Sequence, residues 1–146
     1  MTWKKLLDEG SVETDATSKS ELDDLRAVVA RNLKDATIDK LSDDNRFSIA
    51  YQAALLTAKM AVACAGYRVK GQGAHRTMFQ ALKLAMGSSV NATASYLDRC
   101  RRKRNDLAYD AEGLVSAADA EALLETAEKF YKNVEAWIAK HYPKLA

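Results

Sequence analysis

Arg99, Arg101, Arg102, Lys103 and Arg104 put five cations into six positions. Cations packed this densely attract phosphate backbones, because each neutralised phosphate releases condensed counterions. The plainer reading is a solvated helix face, with Asp98 and Asp106 each spaced to pair with Arg102 one helical turn away. For a bare run of charge the plainer reading comes first. Asn105 and Tyr109 follow the run. Arg104 and Tyr109 are five positions apart, about 140° around an ideal helix. They can line one groove if the helix loosens near Asn105, which can hydrogen-bond locally and help turn the chain.

Other chemistry is sparse. The two histidines, His75 and His141, form no paired-His helix, and the acidic residues cluster at the termini and beside cations, so no metal is expected. Gly71-Gln72-Gly73 lacks the third glycine and preceding strand of a dinucleotide site, and no phosphate-loop Gly-Lys-Ser/Thr occurs, so no cofactor is expected either. Cys64 and Cys100 stand apart and read as buried, inert thiols. His75, just after Gly73, reads first as a cap or packing residue, and as an acid–base group only if its helix start folds towards Arg104. Tyr109 fits a core-edge tyrosine as well as a site residue, and Arg104 has carboxylates at both termini to pair with.

A chain of 146 residues, 48% hydrophobic, with one proline and six glycines, fits one folded domain over residues 1–146 and excludes a disordered or low-complexity class. The longest apolar stretch, Ile49 to Gly66, is interrupted by Gln52 and Lys59, so no membrane span is expected. The first residues lack the apolar core and cleavage site of a signal peptide. A soluble cytoplasmic protein is the expectation. The net charge of +2 is segregated: residues 1–46 carry −3, 47–110 carry +7 and 111–146 carry −2. An acidic N-terminal arm could therefore cover a basic cleft.

The periodicity that must position these residues is helical nearly throughout, with no sustained strand alternation. Residues 1–17 give a short helix from Trp3 to Glu9 and a polar connection. Ser18 or Ser20 caps a second helix with Leu22, Leu25, Val28, Val29 and Leu33 as its stripe. Ser42 or Asp43 opens a third, with Phe47, Ala50, Tyr51, Ala54, Leu55, Ala58, Val62 and Ala65 on one face and Gly66 as its stop. Tyr67 to Gly73 reads as a loop. A fourth helix runs from about Ala74 to Met86, and a fifth, capped by Ser88, Ser89 or Asn91, carries the basic run and frays near Asp110 to Gly113. The last begins at Ser116, buries Leu123, Ala127, Phe130, Val134, Trp137 and Ile138, and ends at Pro143. The expectation is an all-α, up-and-down bundle of five or six helices.

Arg104-Asn105-x-x-x-Tyr109 on the penultimate long helix of a small all-α domain resembles the signature of the HEPN (higher eukaryote and prokaryote nucleotide-binding) superfamily. The run from the alanine-rich helix through Gly66-Tyr67-Arg68 and a short loop to Gly73-Ala74-His75 is similar to the segment before that signature in many members. The resemblance spans about residues 42–140 and is closest to stand-alone bacterial domains in which tyrosine follows Arg-Asn.

Many HEPN domains are metal-independent ribonucleases working as homodimers, with two signature helices facing a shared cleft. The resemblance implies that Arg104 binds the scissile phosphate and Asn105 orients its neighbours. The family's histidine, the general acid or base, is here Tyr109. An unperturbed tyrosine titrates near 10 and is a poor base at neutral pH, though it can donate a proton or hold a phosphate oxygen. Some toxin-type members carry a tyrosine two positions later, where a partner antitoxin transfers nucleotides; Ala111 stands there. The leading expectation is a homodimeric domain that engages RNA or a nucleotide through Arg104, Asn105 and Tyr109, with Arg68, His75, Arg101, Arg102 and Lys103 as neighbours, non-catalytically or weakly so. One alternative is a metal-independent HEPN ribonuclease, the toxin of a toxin–antitoxin or defence system, with an antitoxin or other protein partner. The other is a dimerisation scaffold built on Trp3, Trp137 and Tyr142.

Overall fold

The fold is organised around one helix whose sequence lets neighbours approach on nearly every side. In a computed structural model describing residues 1–109 and 115–146, and the side chains of all of these except 107–109, this helix, α3, runs Asp43–Cys64. Ser42 caps it by accepting from the Asn45 N–H, and Asp43 and Asp44 sit at the favourable end of its dipole. Its alanines at 50, 53, 54, 58 and 61 are all buried, which keeps the surrounding backbones close. Burial extends beyond the single face that the periodicity suggests, because α2 (Lys19–Asp35), α4 (Ala74–Met86), α5 (Asn91–Tyr109) and α6 (Ala117–His141) all pack on α3. The buried Thr57 hydroxyl is satisfied by the Ala53 carbonyl of the same helix at 2.8 Å. By length and mean hydropathy, 1.3, α3 matches a membrane-crossing helix, but in this fold it is the centre of a helical core.

Serines also start α2 and α6, as their positions predict. Ser18 caps α2, and Ser116 forms a reciprocal capping box with Asp119 at the start of α6. Leu123, Ala127, Phe130, Val134 and Ile138 then face the core, while Trp137 is only partly buried. Arg26 ties α2 to the C-terminal segment, donating from Nε to the Glu135 carboxylate at 3.1 Å and from Nη2 to the Leu145 carbonyl at 2.8 Å.

The bundle is all-α as expected, with one small sheet added to it. Val12–Thr14 (β1) and Tyr67–Val69 (β2), placed in a polar connection and a loop by their sequence, pair as a small antiparallel sheet with Val12 opposite Val69. Strands of three residues are too short for alternation to register. β-branched and aromatic residues supply the preference instead, and Tyr67 stacks on Trp3 of α1 (Trp3–Asp8) with ring centroids 4.0 Å apart. Gly66 makes the turn from α3 into β2 at φ +94°, and its carbonyl accepts from the Asp15 N–H. Leu6 and Val12 are buried, so the N-terminal arm packs into the core.

Candidate functional site

The inner stripe of α5 begins as ordinary core and ends as cations. Val90, in a single 3-10 turn just before the helix, is buried, as are Ala94 and Leu97. At helical spacing, the next positions on that stripe are Arg101 and Arg104. Half-burying guanidinium groups costs free energy unless partners compensate. Arg101, with its side chain 18% exposed, donates from Nε to Asp98 Oδ1 at 2.8 Å. Arg104 instead lies over the Tyr51 ring of α3, 5.2 Å from guanidinium carbon to ring centroid, a cation–π geometry.

Tyr51 is fully buried, and its hydroxyl lies 3.2 Å from His75 Nδ1 in the first turn of α4. Phe79, one turn further along α4, meets the Tyr51 ring edge-on. The helix start therefore does fold towards Arg104, through Tyr51. Burial lowers the pKa of His75 below its usual 6.5, and the positive charges of Arg104 and Arg101 push the same way. At neutral pH the imidazole is uncharged. Burial also raises the Tyr51 phenol well above its usual 10, against the opposing pull of the two arginines, so it keeps its proton.

Across Phe79, α4 and α5 enclose a groove of about 320 Å³. Arg76, Gln80 and Lys83 line it from one helix, and Ser95, Asp98, Arg99 and Arg102 from the other. Asp98, the one acidic side chain lining it among the described residues, is engaged by Arg101. Among the described residues, Arg76, Lys83, Arg99 and Arg102 pair with no carboxylate. The pairing of Asp98 with Arg102 suggested by spacing is thus replaced by Asp98 with Arg101, whose deeper position needs the partner more.

The remaining expected site residues are dispersed. Lys103 turns to α6 and holds Asp119 Oδ2 at 2.9 Å, which lowers the pKa of that capping-box carboxylate. Arg68 lies on β2 and pairs with Glu13 at 3.2 Å, as Lys70 does at 3.4 Å. The acidic arm therefore meets the cations of the sheet. Asn105 is exposed, and α5 continues as regular helix through it to Tyr109 rather than loosening. The Tyr109 side chain and the fraying expected at Asp110 to Gly113 lie outside the described residues. Both cysteines are buried, and burial raises Cys64 to about 11. Among the described residues no three His, Cys, Asp or Glu side chains are grouped to hold a metal ion.

The sequence reading missed Tyr51 as a site residue, since it occupies a core stripe. A tyrosine there still needs a partner for its hydroxyl, and that need was the available signal. Arg76 and Lys83 were missed because they stand about two turns apart on α4 and form no dense run.

A model of the SAV_6107-like HEPN family matches residues 38–135, which takes in α3, β2, α4, α5 and most of α6. No curated protein and no solved structure matches the chain. The matched segment contains Tyr51, His75, Arg101 and Arg104 within one helical core, and the chain belongs to the SAV_6107-like HEPN family.

Proposed function

We propose that the domain binds the phosphate backbone of single-stranded RNA on the α4–α5 face, without catalysis or with weak catalysis. The observation that carries this reading is the conversion of the α5 core stripe into Arg101 and Arg104. Among the described residues Arg104 pairs with no carboxylate and lies over a ring face, which orients its charge without neutralising it, so an anion is its natural complement. The groove across Phe79 continues the same potential with Arg76, Lys83, Arg99 and Arg102. Single-stranded chains bind where cations track the backbone. The same reading takes the protein as a cytoplasmic homodimer, in keeping with the family resemblance, and sedimentation at micromolar concentration tests the dimer.

A second reading, a metal-independent ribonuclease acting as a toxin with a protein antitoxin, is favoured by one observation: His75 approaches Arg104 through Tyr51 and is neutral at pH 7. An RNA-binding and cleavage assay with EDTA, comparing wild type, Arg104→Ala and Tyr109→Phe, separates the two. Binding lost in Arg104→Ala, with intact RNA throughout, supports the binding module. Cleavage to 2′,3′-cyclic phosphate ends, lost in the variants, establishes the ribonuclease. A folded wild type that neither binds nor cleaves RNA overturns both.

A further inference from the structure

We propose that Tyr51 is a positioning residue that donates its buried hydroxyl to His75 Nδ1 and thereby presents the imidazole Nε2–H as a hydrogen-bond donor to a phosphate oxygen. This rests on the RNA-binding reading and specifies how one side chain at that site takes part.

Hydrogen-bond satisfaction fixes the direction of the Tyr51–His75 bond. The Tyr51 side chain is fully buried, and among the described residues His75 Nδ1 is the partner of its hydroxyl, at 3.2 Å. A buried O–H must donate, and the raised pKa of the phenol keeps that proton in place. If Nδ1 donated instead, the phenol hydrogen would be left unpaired, which disfavours that tautomer by about tenfold. Nδ1 is therefore the acceptor, and in the neutral ring the proton sits on Nε2. Burial together with the charges of Arg104 and Arg101 keeps the ring neutral.

Two consequences follow for a ring that is only partly buried. Nε2 carries no lone pair to take a proton from an RNA 2′-hydroxyl, so His75 does not act as the missing general base. Nε2–H is instead a neutral donor, suited to a phosphate oxygen already drawn in by Arg104. Tyr51 thus serves two neighbours at once: its ring face orients Arg104, and its hydroxyl sets the His75 tautomer.

The test pairs a spectroscopic readout with binding. Long-range ¹H–¹⁵N correlation of the labelled protein at pH 8 reads the His75 tautomer directly. The expected wild-type spectrum shows a protonated Nε2 and a hydrogen-bonded, unprotonated Nδ1, and Tyr51→Phe shifts the Nδ1 resonance to its unbonded position. A protonated Nδ1 in the wild type, or an Nδ1 resonance unmoved in a folded Tyr51→Phe, overturns the proposal. Affinity for a fluorescein-labelled single-stranded RNA should fall about tenfold in His75→Leu, with Tyr51→Phe adding little in that background because both remove one coupled interaction. Full additivity of the two losses also overturns it. His75→Gln, which retains a donor, should recover part of the affinity, and no recovery counts against the donor role. A wild type with the expected tautomer but no RNA affinity would instead defeat the binding reading on which the proposal rests.

Discussion

If the groove between α4 and α5 binds RNA phosphates, its cations must appear in the salt dependence of affinity. Arg76, Lys83, Arg99 and Arg102 line the groove, and Arg76 and Lys83 stand seven residues apart, about 10 Å along α4. Four phosphates neutralised in the groove contribute about −3 to the log–log slope, or about fiftyfold weaker binding between roughly 50 and 200 mM salt. Arg99→Gln combined with Arg102→Gln removes two of the four and lowers that contribution to about −1.4, or about sevenfold over the same range. Fluorescence anisotropy of a labelled single-stranded RNA across a salt series measures both slopes. Lys103→Gln is the internal control, since Lys103 is occupied by Asp119 and faces α6. A slope unchanged in the double variant refutes the groove as the binding surface. An equal reduction per cation in Lys103→Gln refutes the local argument and leaves only overall charge.

Further outcomes rest on three separate features. The His75 titration midpoint, followed by NMR, should lie below 6.5, because burial and then Arg104 and Arg101 disfavour the charged ring; Arg104→Gln should raise it, and a wild-type midpoint above 6.5 contradicts the placement. The unfolded chain then takes up this proton at higher pH than the folded one, so thermal stability from this group falls as pH drops from 6.5 through the folded midpoint, less steeply in Arg104→Gln. Leu123→Ala, at a fully buried position on α6, should lose about 2–5 kcal/mol in urea denaturation, and a loss near zero would show that α6 is not packed as described. Gly66→Ala finds open space for its methyl at φ +94°, so backbone strain alone should cost about 1–2 kcal/mol by the same measurement.

Much of the helical architecture was legible because capping is local chemistry. Ser18, Ser42 and Ser116 each accept from a backbone N–H three residues on, as their places before apolar stripes suggest. The sheet was not legible, since β1 and β2 are short and their pairing joins Val12 to Val69 across the whole of α2 and α3. In the site, the basic run was visible but its sorting was not. Arg101 and Arg104 face inward because they extend the stripe of Ala94 and Leu97, Arg102 turns to the groove, and Lys103 is taken by the α6 cap. That sorting depends on which neighbour each direction meets, which a single helix sequence does not contain. Arg68 shows the same limit: its proximity to His75 in sequence gave no sign that the N-terminal Glu13 would claim it.

The two arginines on the α5 stripe differ in a way that bears on what a bound anion does. Arg101 is matched by Asp98, whereas Arg104 rests on a ring. A phosphate drawn to Arg104 brings negative charge close to an imidazole whose neutrality depends partly on that arginine, and so raises the His75 pKa. Tyr51 opposes this, because protonating Nδ1 forces the phenol to give up its hydrogen-bond acceptor. RNA binding near pH 6 should therefore take up a fraction of a proton in the wild type and a larger fraction, per mole bound, in Tyr51→Phe. Calorimetry in two buffers of different ionisation enthalpy measures that uptake. Equal heats in both buffers for the wild type and the variant would mean that the bound phosphate lies away from His75, and the anion would then belong to the α4–α5 groove alone.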